Sequence, residues 1–217
     1  MSYSIIIPVH NEEDSIPTLL KELKKFSTEN QIIIINDGSN DSTEYFLKES
    51  SFINLINFKF NKGKGEAIKA GLNFAKNEKV IIFDGDLEID TNQITEFMVL
   101  DKDSNINFVL GYRFIKIDQF QSVWNLGNFV LNKLFNYFNK SNISDALCCA
   151  KSFYKSDIKL DYIKSKRFDI DVEISMELLK KTRHYKSIHV KYKRRNIDQG
   201  KKLKLVDGWS ILRRIIF

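Results

Sequence analysis

The chain has 217 residues, a net charge of +6 and 43% hydrophobic content. That is enough apolar material for one substantial core, and only two prolines argue against a disordered polymer. No run of about 18 uncharged apolar residues is present, the N-terminus lacks the basic start and cleavage site of a signal peptide, and the two cysteines are the neighbours Cys148 and Cys149. These features predict no membrane span, no stabilising disulfide and a cytoplasmic protein.

Elements are expected in alternation. Ser4 to Val9 is a β-branched run and the first strand, followed by a helix capped by Asn11 or Asp14 with Leu19, Leu20, Leu23 and Phe26 on its apolar side. Gln31 to Ile35 is a second buried strand, broken by the turn-rich INDGSNDST. A helix to about Ser50, a strand from Ile53 to Phe60, a helix from Glu66 to Ala75 and a strand from Lys79 to Phe83 follow. This alternation predicts a mostly parallel sheet flanked by helices, whose ligands bind outside the carboxyl ends of the strands. Pro8-Val9-His10, Asn36-Asp37-Gly38 and Asp84-Gly85-Asp86 all fall at such ends. They are expected to converge on one crevice.

The fourth strand ends in FDGDLEID, which places Asp84, Asp86, Glu88 and Asp90 on alternate positions. On an extended segment the first three side chains point the same way. Like charges so close repel unless a cation lies between them, and hard divalent ions such as Mg2+ and Mn2+ suit such oxygen ligands. Gly85 leaves room for a ligand to approach the backbone. The alternative is a solvated turn in which Asp90 or Thr91 caps the next helix.

Several motifs, taken in order, resemble family 2 glycosyltransferases of the GT-A fold, in the branch of dolichol- and polyprenyl-phosphate sugar synthases. They are IIIPVHNEED, INDGSNDST, NKGKGEAIKAGL, FDGDLE, LGYRF at 110–114 and RNIDQGKKLKLVDG at 195–208. The resemblance implies a Rossmann-like GT-A domain over residues 1–217, with a nucleotide-sugar half at 1–115 and an acceptor half at 116–217. It implies metal-dependent hexosyl transfer from a nucleoside-diphosphate sugar with inversion, the acceptor being a polyprenyl phosphate. A glycan hydroxyl acceptor and a non-catalytic nucleotide-sugar-binding protein are the alternatives. Pro8, His10, Glu12, Asn36, Asp37, Lys64, Asp84 and Gly85 are implied for the donor pocket. Asp84, Asp86 and Glu88 are implied for Mg2+ or Mn2+, with Asp86 counted among the catalytic groups. Gly63 and Gly65 resemble a phosphate loop or serve close packing. Asp145, Asp171 and Glu173 are candidate bases for a hydroxyl acceptor, the latter two being equally placed to cap a helix.

Charge divides the chain: residues 1–150 carry −5 and residues 151–217 carry +11. The basic part suits an anionic acceptor, an anionic membrane surface or a solvated face, and no nucleic-acid motif accompanies it. Arg195, Lys201 and Lys202 are the expected grip on an acceptor phosphate. Residues 119–140 form a helix with an aromatic belt, either packed on the domain or lying at the inner face of a membrane.

Overall fold

The computed structural model describes residues 2–115, 122–195 and 205–217, the side chains of 205 and 206 excepted. The elements run β1 (Tyr3–Val9), α1 (Ile16–Leu23), β2 (Gln31–Asn36), α2 (Thr43–Lys48), β3 (Asn54–Asn57), α3 (Lys64–Phe74), β4 (Lys79–Ile82), β5 (Phe108–Tyr112), α4 (Val123–Asn139), β6 (Lys151–Tyr154), α5 (Ile170–Lys181), β7 (Tyr185–His189) and α6 (Leu205–Ile216). The strands form one seven-stranded sheet in the order β3-β2-β1-β4-β6-β5-β7. Strands β3, β2, β1 and β4 are mutually parallel, and β5 is parallel to β7. Only β6 runs the other way, antiparallel to both β4 and β5.

The Ile-rich strands form the centre of the sheet because both of its faces are covered. Ile5, Ile6 and Ile7 in β1, Ile32 to Ile35 in β2 and Val80 to Ile82 in β4 are all buried. Odd and even positions feed two clusters, one with α1 and Phe97, the other with α3, α4, α5 and α6. Each fully buried Ile contributes about 1.5–3 kcal/mol, which outweighs the modest strand length.

Local details differ from the expectations. Helix α1 starts at Ile16 with no side-chain cap, while Asn11 takes a left-handed backbone (φ 49°). The third strand is shorter than expected because the chain turns at Phe60-Asn61, where backbone lies against Gly38. A left-handed backbone there (φ 64°) and a virtual Cβ only 2.3 Å from the Phe60 carbonyl carbon both require glycine. Residues 84–90 are not extended: Leu87 is left-handed (φ 58°) and the segment turns. Asp84, Asp86 and Glu88 therefore reach one side through a turn, not through strand alternation. Asp90 caps the following 3₁₀ turn, accepting the Asn92 N–H.

Candidate active site

Parallel strands end together, and their ends open onto a cavity of about 570 Å³. Pro8, His10 and Glu12 reach it from β1, Asp37 from β2, Lys64 from α3, and Asp84, Gly85, Asp86 and Glu88 from β4. The same cavity is lined by Arg113 after β5, Trp124 and Asn128 on α4, Asp171 on α5, and Tyr192, Arg194 and Arg195 after β7.

Asp37 fixes a loop. Its two carboxylate oxygens accept the N–H groups of Lys62 and Gly63 at 2.7 and 2.9 Å. Asn36 does not face the cavity. Its amide donates to Asn57 and its oxygen accepts from Ser39, so it serves the turn and not a ligand. Gly85 also differs from expectation. A Cβ there would lie 2.4 Å from Val9 Cγ1 and 3.1 Å from Ile7 Cγ2, so its missing side chain lets the exit of β4 pack on β1.

Gly63 and Gly65 answer their alternatives in favour of packing. A Cβ on Gly63 (φ 96°) would lie 2.3 Å from the Lys166 carbonyl oxygen, and one on Gly65 2.4 Å from that of Ser165. The start of α3 thus sits directly on the segment before α5, and the Gly65 N–H donates to the Lys166 carbonyl. This seating delivers Lys64 to two carboxylates at once, Asp84 and Asp171, each at 2.9 Å. Burial opposes its charge, yet Asp171 and Asp84 outweigh burial and hold the ammonium well above the usual lysine value. The other oxygen of Asp171, Oδ1, is buried and without a hydrogen-bond partner.

Burial and the neighbouring charges of Asp84 and Glu88 push the Asp86 carboxyl up to about 7, against the Glu88 N–H bond and Arg195. Asp84 and Asp86 therefore carry crowded negative charge, which suits a hard divalent cation. Among the described residues no three His, Cys, Asp or Glu side chains form a metal cage by themselves. A site completed by phosphate oxygens fits this arrangement, as is usual for Mg2+. Glu88 fits less well: its carboxylate accepts the Arg195 N–H at 2.7 Å and its carbonyl accepts the Lys193 N–H.

Two other expectations are corrected, and a third residue, Arg195, lines the cavity with a partner the sequence did not indicate. Asp145 does not line the cavity; it holds Arg113 in a two-pronged pair, Nε to Oδ2 at 2.7 Å and Nη2 to Oδ1 at 3.0 Å. Glu173 is buried beneath the site, accepting the N–H groups of Lys164 and Ser165 and facing Arg214 at 3.3 Å. A base engaged in that way has no access to an acceptor. Arg195 reaches across to Glu12 at 2.8 Å, on the wall expected for the nucleotide. Lys201 and Lys202 lie outside the described residues.

Arg113, Tyr192 and Arg194 were not singled out as site residues. Burial opposes the Arg113 charge, but Asp145 outweighs it and raises the guanidinium further above its ordinary value. Tyr192 lies under that guanidinium, 5.4 Å from the ring centre, and burial with the Glu88 charge pushes its hydroxyl up to about 12. LGYRF contained the signal for Arg113; KYKRR concealed Tyr192 and Arg194 among solvated charges.

A family model for glycosyl transferase family 2 matches residues 4–160. This chain belongs to glycosyl transferase family 2. Among curated relatives of this family 2 chain, an undecaprenyl-phosphate 4-deoxy-4-formamido-L-arabinose transferase of Proteus mirabilis is 38% identical over 94 residues, 39% of this chain and 29% of the relative. A dolichyl-phosphate beta-glucosyltransferase of Dictyostelium discoideum is 32% identical over 133 residues, 53% of this chain and 41% of the relative. The matches span less than half the length of either relative. Glucosyl-3-phosphoglycerate synthase from Mycobacterium tuberculosis, solved with Mn2+, uridine diphosphate and phosphoglyceric acid, superposes with a TM-score of 0.72 over 99% of this chain and 76% of that one, at 13% identity. At that identity the likeness is one of fold, and it is the GT-A fold expected from the motifs.

Proposed function

We propose that this family 2 chain transfers a hexosyl group, with inversion, from a nucleoside-diphosphate sugar to a polyprenyl phosphate on the cytoplasmic side of a membrane. The observation that carries the reading is that one cavity is lined both by the acidic pair Asp84 and Asp86 and by Arg113.

The nucleotide lies against Pro8, His10 and the loop pinned by Asp37. Asp84 and Asp86 would hold a Mg2+ or Mn2+ ion, which would supply positive charge to stabilise the departing diphosphate. Lys64 stands beside that position, paired with Asp84 and Asp171, and adds a further positive charge. An ionised phosphate acceptor needs placement more than deprotonation. Arg113, fixed by Asp145, and Arg194, which donates to Asn125 at 2.9 Å, offer planar donors for that purpose. The acceptor oxygen then attacks the anomeric carbon from the face opposite the leaving group. One observation favours a hydroxyl acceptor instead: the buried Asp171 Oδ1 with no partner would accept its proton.

Lipid contact has a physical basis in α4 and α6, which pack together. Helix α4 exposes Val123, Leu126, Val130, Tyr137 and Phe138, α6 exposes Trp209 and Ile216, and Phe217 just beyond α6 is exposed too. Lys133 and Arg213 are exposed on the same two helices, and Lys140 is exposed at the C-terminal cap of α4. Such a face suits peripheral attachment to an anionic surface. Among the described residues no helix is long and apolar enough to cross a membrane.

The test is transfer from UDP- and GDP-sugars to undecaprenyl phosphate or to a glycan, with Mn2+ or with a chelator. Metal-dependent product on the lipid phosphate is expected. Product on the glycan alone selects the Asp171 reading, and donor binding without turnover selects the non-catalytic one.

A further inference from the structure

Lys64 sits where two functions meet. Its backbone is fixed by the close seating of Gly63 and Gly65 on the carbonyls of Lys166 and Ser165. Its side chain is almost fully buried and shared between Asp84 at the end of β4 and Asp171 in the first turn of α5. An ammonium has three hydrogens to donate. Asp84 and Asp171 each take one through Oδ2, while Asp171 Oδ1 is buried and takes none. The ammonium therefore has a second place on Asp171 should Asp84 be required elsewhere.

A divalent cation on Asp84 and Asp86 is a competitor for the same carboxylate. Like charges at contact distance repel strongly in a partly buried site. We propose that Lys64 is a displaceable internal cation. It neutralises Asp84 in the free protein and moves onto Asp171 when a divalent ion arrives with a nucleoside diphosphate. The diphosphate supplies the negative charge that lets both cations remain, and it accepts the third N–H. Metal alone then binds poorly, and metal with nucleotide binds well. This rests on the reading of Asp84 and Asp86 as metal carboxylates, and it assigns Lys64 as a positioning residue that makes metal entry depend on the donor.

The test needs no turnover. Free Mn2+ is measured by electron paramagnetic resonance while the full chain is titrated, alone and with saturating UDP or GDP. For the wild type, either nucleotide is expected to tighten Mn2+ binding at least tenfold. Lys64→Met is expected to tighten binding of Mn2+ alone about tenfold and to shrink the nucleotide effect, whereas Lys64→Arg, which keeps the cation, is expected to resemble the wild type. Asp171→Asn, which removes the alternative place for the ammonium, is expected to weaken Mn2+ binding. In the Lys64→Met background the same substitution is expected to have little effect, because no lysine remains to be displaced. The double variant also removes the unpaired buried carboxylate that would threaten folding of Lys64→Met. Unchanged or weaker Mn2+ binding in both the single and the double Lys64→Met variants overturns the proposal, provided the wild type binds Mn2+ with nucleotide. If the wild type binds no Mn2+ with either nucleotide, the metal reading itself falls, and this proposal with it.

Discussion

Asp86→Asn is expected to stabilise the metal-free protein while removing its response to metal. The folded-state shift of Asp86, from 3.8 to about 7, is about 3 units. At 1.36 kcal/mol per unit, holding this carboxylate ionised at neutral pH costs about 4 kcal/mol. Asp86 is half-buried at an open cavity, so screening by water reduces the figure to about 2 kcal/mol. Asparagine keeps the oxygen that accepts the Glu88 N–H at 3.0 Å, so the turn is retained while the charge is lost. The sign of the pH dependence follows. The folded carboxyl binds its proton more tightly than the unfolded one, so the wild type loses stability as pH rises from about 4 to 7. The variant lacks that loss, and its advantage should vanish near pH 4. Urea unfolding with a chelator, at pH 4.5 and pH 7.5, reads both effects; at the higher pH the variant should melt about 4–8 °C above the wild type. Mn2+ with UDP should raise the melting temperature of the wild type alone. An advantage that is absent, or equal at both pH values, would refute the account of crowded charge.

Gly65→Ala should cost about 2–3 kcal/mol in urea unfolding, since its Cβ meets backbone at 2.4 Å, whereas Gly127→Ala, with nothing within 4 Å in the second turn of α4, should gain about 0.5–1 kcal/mol. Asp145→Asn should destabilise by about 3 kcal/mol because it leaves the buried Arg113 charge without its carboxylate; in transfer assays it should raise the acceptor KM more than the donor KM. Cosedimentation with anionic vesicles should be strong at low salt and weak at high salt, and Trp209→Ala should reduce it at both; an unaffected Trp209→Ala would remove α6 from the contact.

The first four strands were legible because their Ile and Val runs end in Asn, Asp and Gly turns, and the turn residues are the site. Strands β5, β6 and β7 were not read. KSFY and YKSIH are short, and β7 lies at a sheet edge with Lys186, Ser187 and His189 exposed, so neither shows the apolar run of a central strand. The site was legible residue by residue and illegible pair by pair. Lys64 meets Asp171 across 107 positions and Arg195 meets Glu12 across 183, and a contact at such separation leaves no local pattern. Asp145, Asp171 and Glu173 read alike as candidate acceptor-side bases, the last two near a helix start. Their partners, which only the fold supplies, make the first a holder of Arg113, the second a cavity residue and the third a loop clamp.

The reversed strand β6 has a consequence for how the chain is made. It is the neighbour of β4, pairing Lys79 to Ile82 with Tyr154 to Lys151. Until residue 154 has left the ribosome, β4 is a bare sheet edge carrying Val80, Ile81 and Ile82, the kind of surface on which strands of other chains add. A nascent chain ending after residue 115 holds most of the proposed donor wall, including Asp84 and Asp86, yet presents that sticky edge. A fragment cut after residue 115 should therefore aggregate where the longer chain remains dispersed.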